Sequence, residues 1–358
     1  MYNILFFFNI LIIMQINDNL MLTDKMLIND KMLINDKLQS NDKMQSNDKM
    51  QSNDKLKINK THIIDKRTNF QTTTFSNYKK SHVIKELCNS MYYQKLEEAF
   101  FWTGDLLCSG HIIDIWNVYI HFICKYIHIN NPKLPIYLYK KFEEFKSIAV
   151  KSSDLELRNN DDIRILFFTI TAILSDCKKD SILDNLKFDL KDIHSNLKAP
   201  NITYIQSFFR QGDPKEYFIA LNELMYHLKD TKNKMDILYW IEWIIEFEQL
   251  LIKKKKHIVC IQRDFAPNTN VIWLIWELLL SFKKDPVVER IIDALFNLFR
   301  IKYTPASNKK KKCILHLCIM FIINNIDYQK KLVENVAIFN HLEKNIIITF
   351  EQIKKSES

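Results

Sequence analysis

Two groups of histidine and cysteine have the chemistry to bind a metal. The first group falls within one predicted helix and consists of His121, Cys124 and His128. Residues three and four positions apart share a helix face, where imidazole nitrogens and a thiolate could ligate zinc if a fourth ligand joined them. The second group is looser and consists of Cys313, His316 and Cys318.

Neither group has the spacing of a closed zinc site. Such sites usually take their ligands in tight pairs from two segments, and Phe122 and Ile123 place apolar side chains beside the first group. We therefore predict no metal site and no bound cofactor. The seven cysteines contain no Cys-x-x-Cys pair and most lie in apolar runs. This pattern favours reduced core thiols in a cytoplasmic protein over a disulfide framework.

Three carboxylates in an aromatic-rich stretch could form an acidic site, and they are Glu97, Asp105 and Asp114. Paired acids hold divalent metals in four-helix bundles when Glu-x-x-His motifs accompany them, and the sequence contains no such motif. Solvated or helix-capping carboxylates are the simpler interpretation. A Ser-His-Asp site is assembled in space and cannot be read from sequence. We predict no catalytic residue, and an enzyme built on these carboxylates is the third hypothesis.

Lysine runs are the other candidate binding residues. They are Lys253, Lys254, Lys255 and Lys256, followed later by Lys309, Lys310, Lys311 and Lys312. The first run ends a long predicted helix, where cations interact favourably with the helix dipole. The second run begins a predicted helix, where cations oppose the dipole, so it is the more suggestive of a ligand. Both runs could contact nucleic-acid phosphates, although a solvated loop explains them more simply.

Composition excludes several classes of enzyme. The 358-residue chain has only 3 glycines, whereas phosphate-binding loops and nucleophile elbows need residues that tolerate positive φ or close backbone approach. Neither a GxGxxG nor a Walker A sequence is present. The net charge of +9 is mild for a dedicated nucleic-acid-binding protein. These observations favour a non-enzymatic binding protein.

The first 80 residues fall into three segments. Residues 1–17 form an apolar leader, in which the stretch 2–14 is too short to span a membrane as a helix. It is a targeting segment, a membrane-surface anchor or a product of translation from an upstream start, and we expect no other membrane contact. Residues 18–60 contain hexapeptide repeats such as DKMLIN, whose six-residue step spreads apolar residues around a helix, and we predict disorder. Residues 61–80 are predicted to be a polar linker.

Residues 81–355 are predicted to form an all-α globular domain. Helix starts combine a capping side chain with a following proline at Asn131, Asp213 and Asp285, and a further start is predicted at Asn159–Asp162. One long helix carries its polar residues in a single narrow line: Glu242, Glu246, Gln249 and Lys253. Such a helix must be covered on two or more sides. The domain is therefore a multilayered helical bundle or an irregular curved helical array.

Several segments of this domain resemble a viral protein family. The segments FFWTGDLLCSGHIIDIW, INNPKLPIYLYKKFEEFK, RNNDDIRILFF, LKAPN, DPKEYFIALNEL and YWIEWIIEFE are similar to a conserved, functionally uncharacterised protein of nucleocytoplasmic large DNA viruses, the mimivirus-like and related groups. The resemblance covers about Glu86 to Glu277. It implies a viral protein that acts in the infected-cell cytoplasm or the virion, and it supplies no active-site residues.

Two functions follow as expectations. The first is a non-enzymatic helical scaffold or protein-interaction component, with protein partners and a role in the virion or its assembly. The alternative is a nucleic-acid-associated accessory factor in viral transcription or replication, which the net charge and the two lysine runs suggest. The sequence leaves the oligomeric state open.

Overall fold

The computed structural model describes residues 60–68, 70–180, 190, 193–256, 258–282 and 285–357. The predicted leader (1–17) and, apart from Lys60, the hexapeptide repeats (18–60) lie outside the described residues. Within the described part the chain forms twelve α-helices and no β-strand, with one isolated bridge between Thr73 and Lys79. The prediction of a multilayered all-α fold is confirmed. None of the described helices has the length and apolar character needed to span a membrane.

The helices are named α1 to α12 in chain order. Helices α1 to α6 are Lys80–Tyr92, Leu96–Cys108, Ile112–Phe122, Leu134–Ala149, Asp154–Asn159 and Asp161–Asp176. Helices α7 to α12 are Phe218–Tyr226, Lys234–Lys253, Ile272–Leu280, Pro286–Arg300, Asn308–Ile323 and Leu342–Lys354. π-Helical turns, Ile123–Ile127 and His227–Thr231, directly follow α3 and α7. Short 3-10 turns are His128–Asn130, His194–Asn196, Lys215–Tyr217, Pro305–Ser307 and Val336–Phe339.

Two of the predicted helix starts are made as the sequence indicates. The Asn160 side chain accepts a hydrogen bond from the backbone N–H of Ile163 and begins α6. The Asp285 side chain accepts from the N–H of Val287, with Pro286 at the first position of α10. Each cap satisfies a backbone donor that the helix itself leaves unpaired.

The described chain divides into two compact units. The first contains the residues up to Tyr119, Lys140–Cys177 and the residues from Lys331 on, and the second contains Ile120–Tyr139 and Lys178–Lys330. The region 81–355, predicted as one domain, therefore contributes to two units, and two of the four boundaries between them fall within α3 and α4. Basic and acidic residues are equal in number in the sequence of the first unit, so the net charge of +9 belongs entirely to the second.

Helix α2 lies at the centre of the first unit and packs against α1, α6 and α12. Gly104 permits a close approach to α12, because a Cβ at this position would lie 2.7 Å from Cδ1 of Ile353. Buried hydroxyl groups link α2, α3 and α6: the Thr171 hydroxyl lies 2.9 Å from that of Thr103 and 2.8 Å from that of Tyr119. These bonds satisfy polar groups that would otherwise be costly to bury.

The segment 61–80 is not the polar linker that the sequence predicts. Ile63, Phe70 and Phe75 are buried in the first unit. The Arg158 side chain, only 1% exposed, donates hydrogen bonds to the backbone carbonyls of Asp65 and Arg67. A buried guanidinium needs such acceptors, and the segment supplies them, so it is fixed against α5 and contributes to the core.

Helix α8 is the interior helix of the second unit, where it packs against α7, α9 and α11. Trp240, Ile241 and Ile244 are buried, whereas Lys253 at the end of the polar line is exposed. The narrow polar line predicted from the sequence is covered at its start, where Glu242 is buried and pairs with Lys312 of α11, and it is exposed only at its end, Lys253.

Several helix ends use a left-handed residue other than glycine. At the end of α1, Gln94 has φ 58°, and the N–H groups of Gln94 and Lys95 donate to the carbonyls of Met91 and Ser90. Gly110, φ 70°, makes the equivalent turn at the end of α2. Lys255, φ 57°, does so at the end of α8. This bonding pattern is the Schellman motif, in which glycine is the usual residue.

We expect opposite effects from substitutions at the two equivalent turns of the first unit. Gly110→Ala places a Cβ at positive φ and 3.1 Å from Oδ1 of Asp154, and it lowers the free energy of unfolding by about 1 kcal/mol or more. Gln94→Gly relieves the left-handed strain and raises that free energy by up to about 1 kcal/mol. Urea denaturation of each variant measures both changes, and a loss of stability in Gln94→Gly would contradict this account.

Candidate functional site

A cleft of about 240 Å³ opens in the second unit beside the end of α8. Its aliphatic lining residues are Leu251, Ile252, Ile258, Val259 and Pro305. Its other lining residues carry polar groups and are Tyr217, Glu248, Lys256, Asn268, Thr269 and Asn270. A concave site with aliphatic walls and a few converging polar groups is the usual form of a binding site.

Glu248 is the central polar group of the cleft. Its side chain is nearly buried, and its two oxygens accept hydrogen bonds from Nδ2 of Asn270 at 2.5 Å and Nδ2 of Asn308 at 2.9 Å. Burial raises the pKa of the Glu248 carboxyl, and the two amide donors only partly oppose this effect. Glu248 therefore joins α8 to the loop before α9 and to the first residue of α11.

Tyr217 adds a second buried polar group. Its side chain is 0% exposed, and its hydroxyl has no hydrogen-bond partner among the described residues. Burial, and then the nearby Glu248 carboxylate, raise the pKa of this phenol. The hydroxyl therefore stays protonated as an unused donor in the cleft wall.

The wall that carries Ile258 and Val259 is fixed by a buried ion pair. The Arg263 guanidinium is 0% exposed and donates to Oδ1 and Oδ2 of Asp213 at 2.6 and 2.7 Å. It also donates to Glu277 at 2.8 Å and to the carbonyl of Ile261 at 2.7 Å. Such a bidentate contact between guanidinium and carboxylate sets geometry as well as energy.

This ion pair corrects one prediction. Asp213 does not cap the helix that follows Pro214; no side chain caps that turn, and the Asp213 carboxylate binds Arg263 instead. Burial alone would raise the pKa of Asp213, but the hydrogen bonds from Arg263 and from the N–H groups of Arg210 and Ile261 outweigh it and lower the pKa.

The mouth of the cleft combines cations with exposed aliphatic groups. All four side chains of the first lysine run, Lys253–Lys256, are exposed, and Lys256 lines the cleft itself. Ile252 is 43% exposed and Val259 58% exposed at the same place. We name this surface the docking mouth, and it consists of Ile252, Lys253–Lys256 and Val259.

The second lysine run is mostly engaged within the protein. Lys309 and Lys312 pair with Glu246 and Glu242 of α8 at 2.6 and 2.7 Å. Lys311 donates to the carbonyl of Phe299 at 2.7 Å and to that of Ile301, at the end of α10. Burial lowers the pKa of Lys311 to about 8. These acceptors explain how α11 tolerates cations at the end where its dipole disfavours them.

The two lysine runs lie at one end of the second unit. The two ion pairs show that α11 runs antiparallel to α8, since the later lysine contacts the earlier glutamate. Pro305, which precedes α11, consequently reaches the cleft beside Ile252 and Lys256. Of the second run, Lys309 and Lys310 are exposed, and Lys309 is paired with Glu246, so the exposed cations without a carboxylate partner here are chiefly those of the first run.

The three candidate carboxylates belong to the first unit and differ in role. Asp105 is fully buried and accepts a hydrogen bond from the N–H of Ser76 at 2.8 Å, and burial raises its pKa. Asp114 pairs with Lys80 at 3.0 Å. Glu97 is exposed in the first turn of α2. Asp105 and Asp114 therefore hold the segment that leads into α1.

The two histidine and cysteine groups meet in the second unit, because α11 packs against the turns Ile123–Ile127 and His128–Asn130. Sγ of Cys313 lies 3.7 Å from Nδ1 of His121, and Cys124 lies close to Cys313. Over the described ranges, no three or more His, Cys, Asp or Glu side chains are placed together to hold a metal ion.

Comparison with known proteins returned no match to a protein-family model, to a curated protein or to a solved structure.

The cleft itself was missed by the sequence analysis. Its polar residues come from positions as distant as Tyr217 and Asn270, and no motif links them. One signal was present: Glu248 lies off the polar line of α8, on a side that the pattern predicts to be apolar. A carboxylate in such a position must find buried donors, and it does so in Asn270 and Asn308.

We expect Arg263→Met to lower the free energy of unfolding by about 3–5 kcal/mol, because it leaves the Asp213 carboxylate buried without its cation. Arg210→Met is the matched control: Arg210 also pairs with Glu277 but its side chain is 46% exposed, so its loss costs about 1 kcal/mol or less. Denaturant unfolding at neutral pH measures both values. Equal losses would contradict a dominant role for the buried pair.

We expect Glu248→Gln to change the pH dependence of stability. A carboxyl whose pKa is raised by folding makes the protein less stable as pH rises from its ordinary pKa of 4.5 through its raised value. Glutamine removes this decline, and its amide can donate to Oδ1 of Asn308, which has no partner among the described residues. Urea unfolding at pH values from about 4 to about 8, which span the carboxyl range, measures how the free energy of unfolding changes with pH. If the variant and the wild-type protein show the same pH dependence, the raised pKa of Glu248 is contradicted.

Proposed function

We propose that the chain is a non-enzymatic protein-interaction component, and that the cleft and its docking mouth bind an acidic, aliphatic-rich segment of a partner protein. The observation that carries this proposal is that exposed Lys256, Ile252 and Val259 line one cleft, and that the three preceding residues of the chain, Lys253–Lys255, are also exposed lysines. An acidic segment complements the cations, and its aliphatic side chains complement the cleft wall.

The size and chemistry of the cleft support a peptide ligand. A volume of about 240 Å³ matches one or two side chains, as in docking sites where a few buried anchors contribute most of the affinity. The lysines at the mouth would speed encounter with an acidic segment and exclude basic ones. The net charge of +9 in the second unit acts in the same direction.

Nucleic acid is the alternative ligand, and the cleft supports it less well. Single-stranded nucleic acid is usually bound by aromatic faces on which bases stack, whereas the cleft walls are aliphatic and the ring of Tyr217 is 0% exposed. In the second lysine run, Lys309, Lys311 and Lys312 are already bound to protein acceptors. Fewer cations therefore remain for phosphates than the sequence suggests.

The resemblance to a protein of large DNA viruses supports a more specific setting. In that setting the partner is another viral protein, and docking takes place in the virion or during its assembly in the infected-cell cytoplasm.

A peptide selection tests the proposal directly. Random peptides displayed on phage are selected on the full-length protein and counter-selected on Val259→Asp. We expect the enriched peptides to combine Asp or Glu with Leu, Ile or Val. In fluorescence polarisation, Val259→Asp and the quadruple Gln variant of Lys253–Lys256 should each weaken a synthetic consensus peptide by about tenfold, from lost apolar contact and lost charge attraction respectively.

Matched controls separate the docking mouth from general surface effects. Ile202→Asp changes an aliphatic side chain of similar exposure, 55%, in the same unit, and Lys229→Gln with Lys232→Gln removes exposed lysines elsewhere in that unit. Neither should alter peptide affinity. The opposite outcome is that no peptide is enriched, while a labelled single-stranded oligonucleotide binds the wild-type protein, loses affinity steeply with salt and binds the quadruple variant less tightly. In that case the nucleic-acid function is correct and the protein-docking proposal is wrong.

A further inference from the structure

Two thiols come into contact at the place where α11 packs against the π-helical turn Ile123–Ile127. The Cys124 and Cys313 thiols lie close enough to shift each other's acidity. On the other side of the pair, Sγ of Cys313 lies 3.7 Å from Nδ1 of His121. Both cysteines are largely buried, with Cys124 1% and Cys313 8% exposed. Two sulfurs in contact beside an imidazole are the components of a thiol–disulfide pair.

The two thiols differ in acidity. Hydrogen bonds from Cys124 and His121, and the nearby His316, stabilise a thiolate at Cys313 and lower its pKa, although burial opposes them. Burial and the proximity of Cys313 raise the pKa of Cys124. One member is thus suited to attack an oxidant, and the other stays protonated beside it.

Other buried cysteines lack this environment. Burial raises the pKa of Cys108 to about 12 and that of Cys260 to about 11, and it also raises the pKa of Cys318. Cys88 and Cys177 are more exposed than Cys313. If solvent access alone determined the rate of oxidation, Cys88 and Cys177 would react first. If the thiolate determines it, Cys313 reacts first, and the two outcomes can be distinguished by experiment.

We propose that Cys313 and Cys124 form a dithiol that hydrogen peroxide oxidises to a disulfide. The Cys313 thiolate attacks one peroxide oxygen; the S–O bond forms, the O–O bond breaks, and hydroxide leaves and takes up a proton as water. Cys124 then loses its proton as its sulfur attacks Sγ of Cys313. The S–S bond forms, the S–O bond breaks, and the second hydroxide leaves as water with that proton. In sum, two thiols and one peroxide give one disulfide and two waters.

The disulfide would tie the π-helical turn Ile123–Ile127 to the first part of α11. The 8% exposure of Cys313 admits a small oxidant such as hydrogen peroxide and disfavours a bulky one. This inference depends only on contacts inside the second unit and does not rest on the proposed docking function.

Peptide mapping of the full-length wild-type protein tests the inference without any substitution. The protein is treated with hydrogen peroxide under native conditions, remaining thiols are alkylated after denaturation, and the digest is analysed by mass spectrometry. We expect a cross-linked peptide that contains Cys124 and Cys313 and lacks two hydrogens. We expect it to form about tenfold faster than oxidation of Cys88 or Cys177, because the thiolate and not the thiol is the nucleophile.

Variants assign the separate steps. Cys124→Ser should stop the reaction at a sulfenic acid on Cys313 that dimedone captures, and Cys313→Ser should leave Cys124 reduced. Cys318→Ser, a neighbouring buried thiol, is the matched control and should leave the cross-link unchanged. His121→Gln should shift the pH profile of Cys313 alkylation to higher pH, which a purely structural role would not do. Circular dichroism verifies that each variant is folded.

The inference is overturned if Cys88 and Cys177 are oxidised while Cys124 and Cys313 remain reduced. It is also overturned if Cys313 is oxidised in wild-type protein but the cross-link to Cys124 never forms.

Discussion

The register between α8 and α11 is the constraint on which the second unit depends. Four lysines follow the first residue of helix α11, and a helix N-terminus disfavours such charge. Two glutamates one turn apart on α8 offset this cost through Lys309–Glu246 and Lys312–Glu242. Pairs this close to the surface contribute little stability individually. Their importance is directional, because they align two largely apolar helices that could otherwise pack in several registers.

That single alignment determines two distant environments. At its first residue, α11 presents Asn308 to Glu248 and so supplies a donor to the buried carboxylate of the cleft. Five residues further on, it presents Cys313 to Cys124 and His121. A slip of one helical turn, about 5.4 Å, would separate both sets of groups at once. The cleft and the thiol pair are therefore properties of one helix–helix interface, although their chemistry is unrelated.

The helices were predictable from the sequence where local signals and burial agree. Asp285 caps α10 as its position before Pro286 indicates, and the narrow polar line of α8 marks an interior helix. The prediction was wrong where a side chain expected to cap a helix binds a residue distant in sequence. Asp213 accepts hydrogen bonds from Arg263, 50 residues away, and does not cap the next helix. Likewise, Arg158 binds the segment taken for a linker. The sequence identified both lysine runs as candidate binding residues. It could not show which lysines are paired within the protein, because Lys309 and Lys312 pair with glutamates of another helix.

Several helices end in a glutamine or lysine with positive φ, and these residues keep the free energy of unfolding below the value that glycine would allow at the same turns. Each of Asn77, Gln94, His128, Lys232, Lys255 and Lys302 holds a conformation that glycine adopts at lower cost. A chain with 3 glycines has left these positions unimproved, as expected when selection only keeps a protein above a threshold. Glycine substitutions at these turns could therefore give a more thermostable protein, suitable for crystallisation, without any change to the core or the cleft.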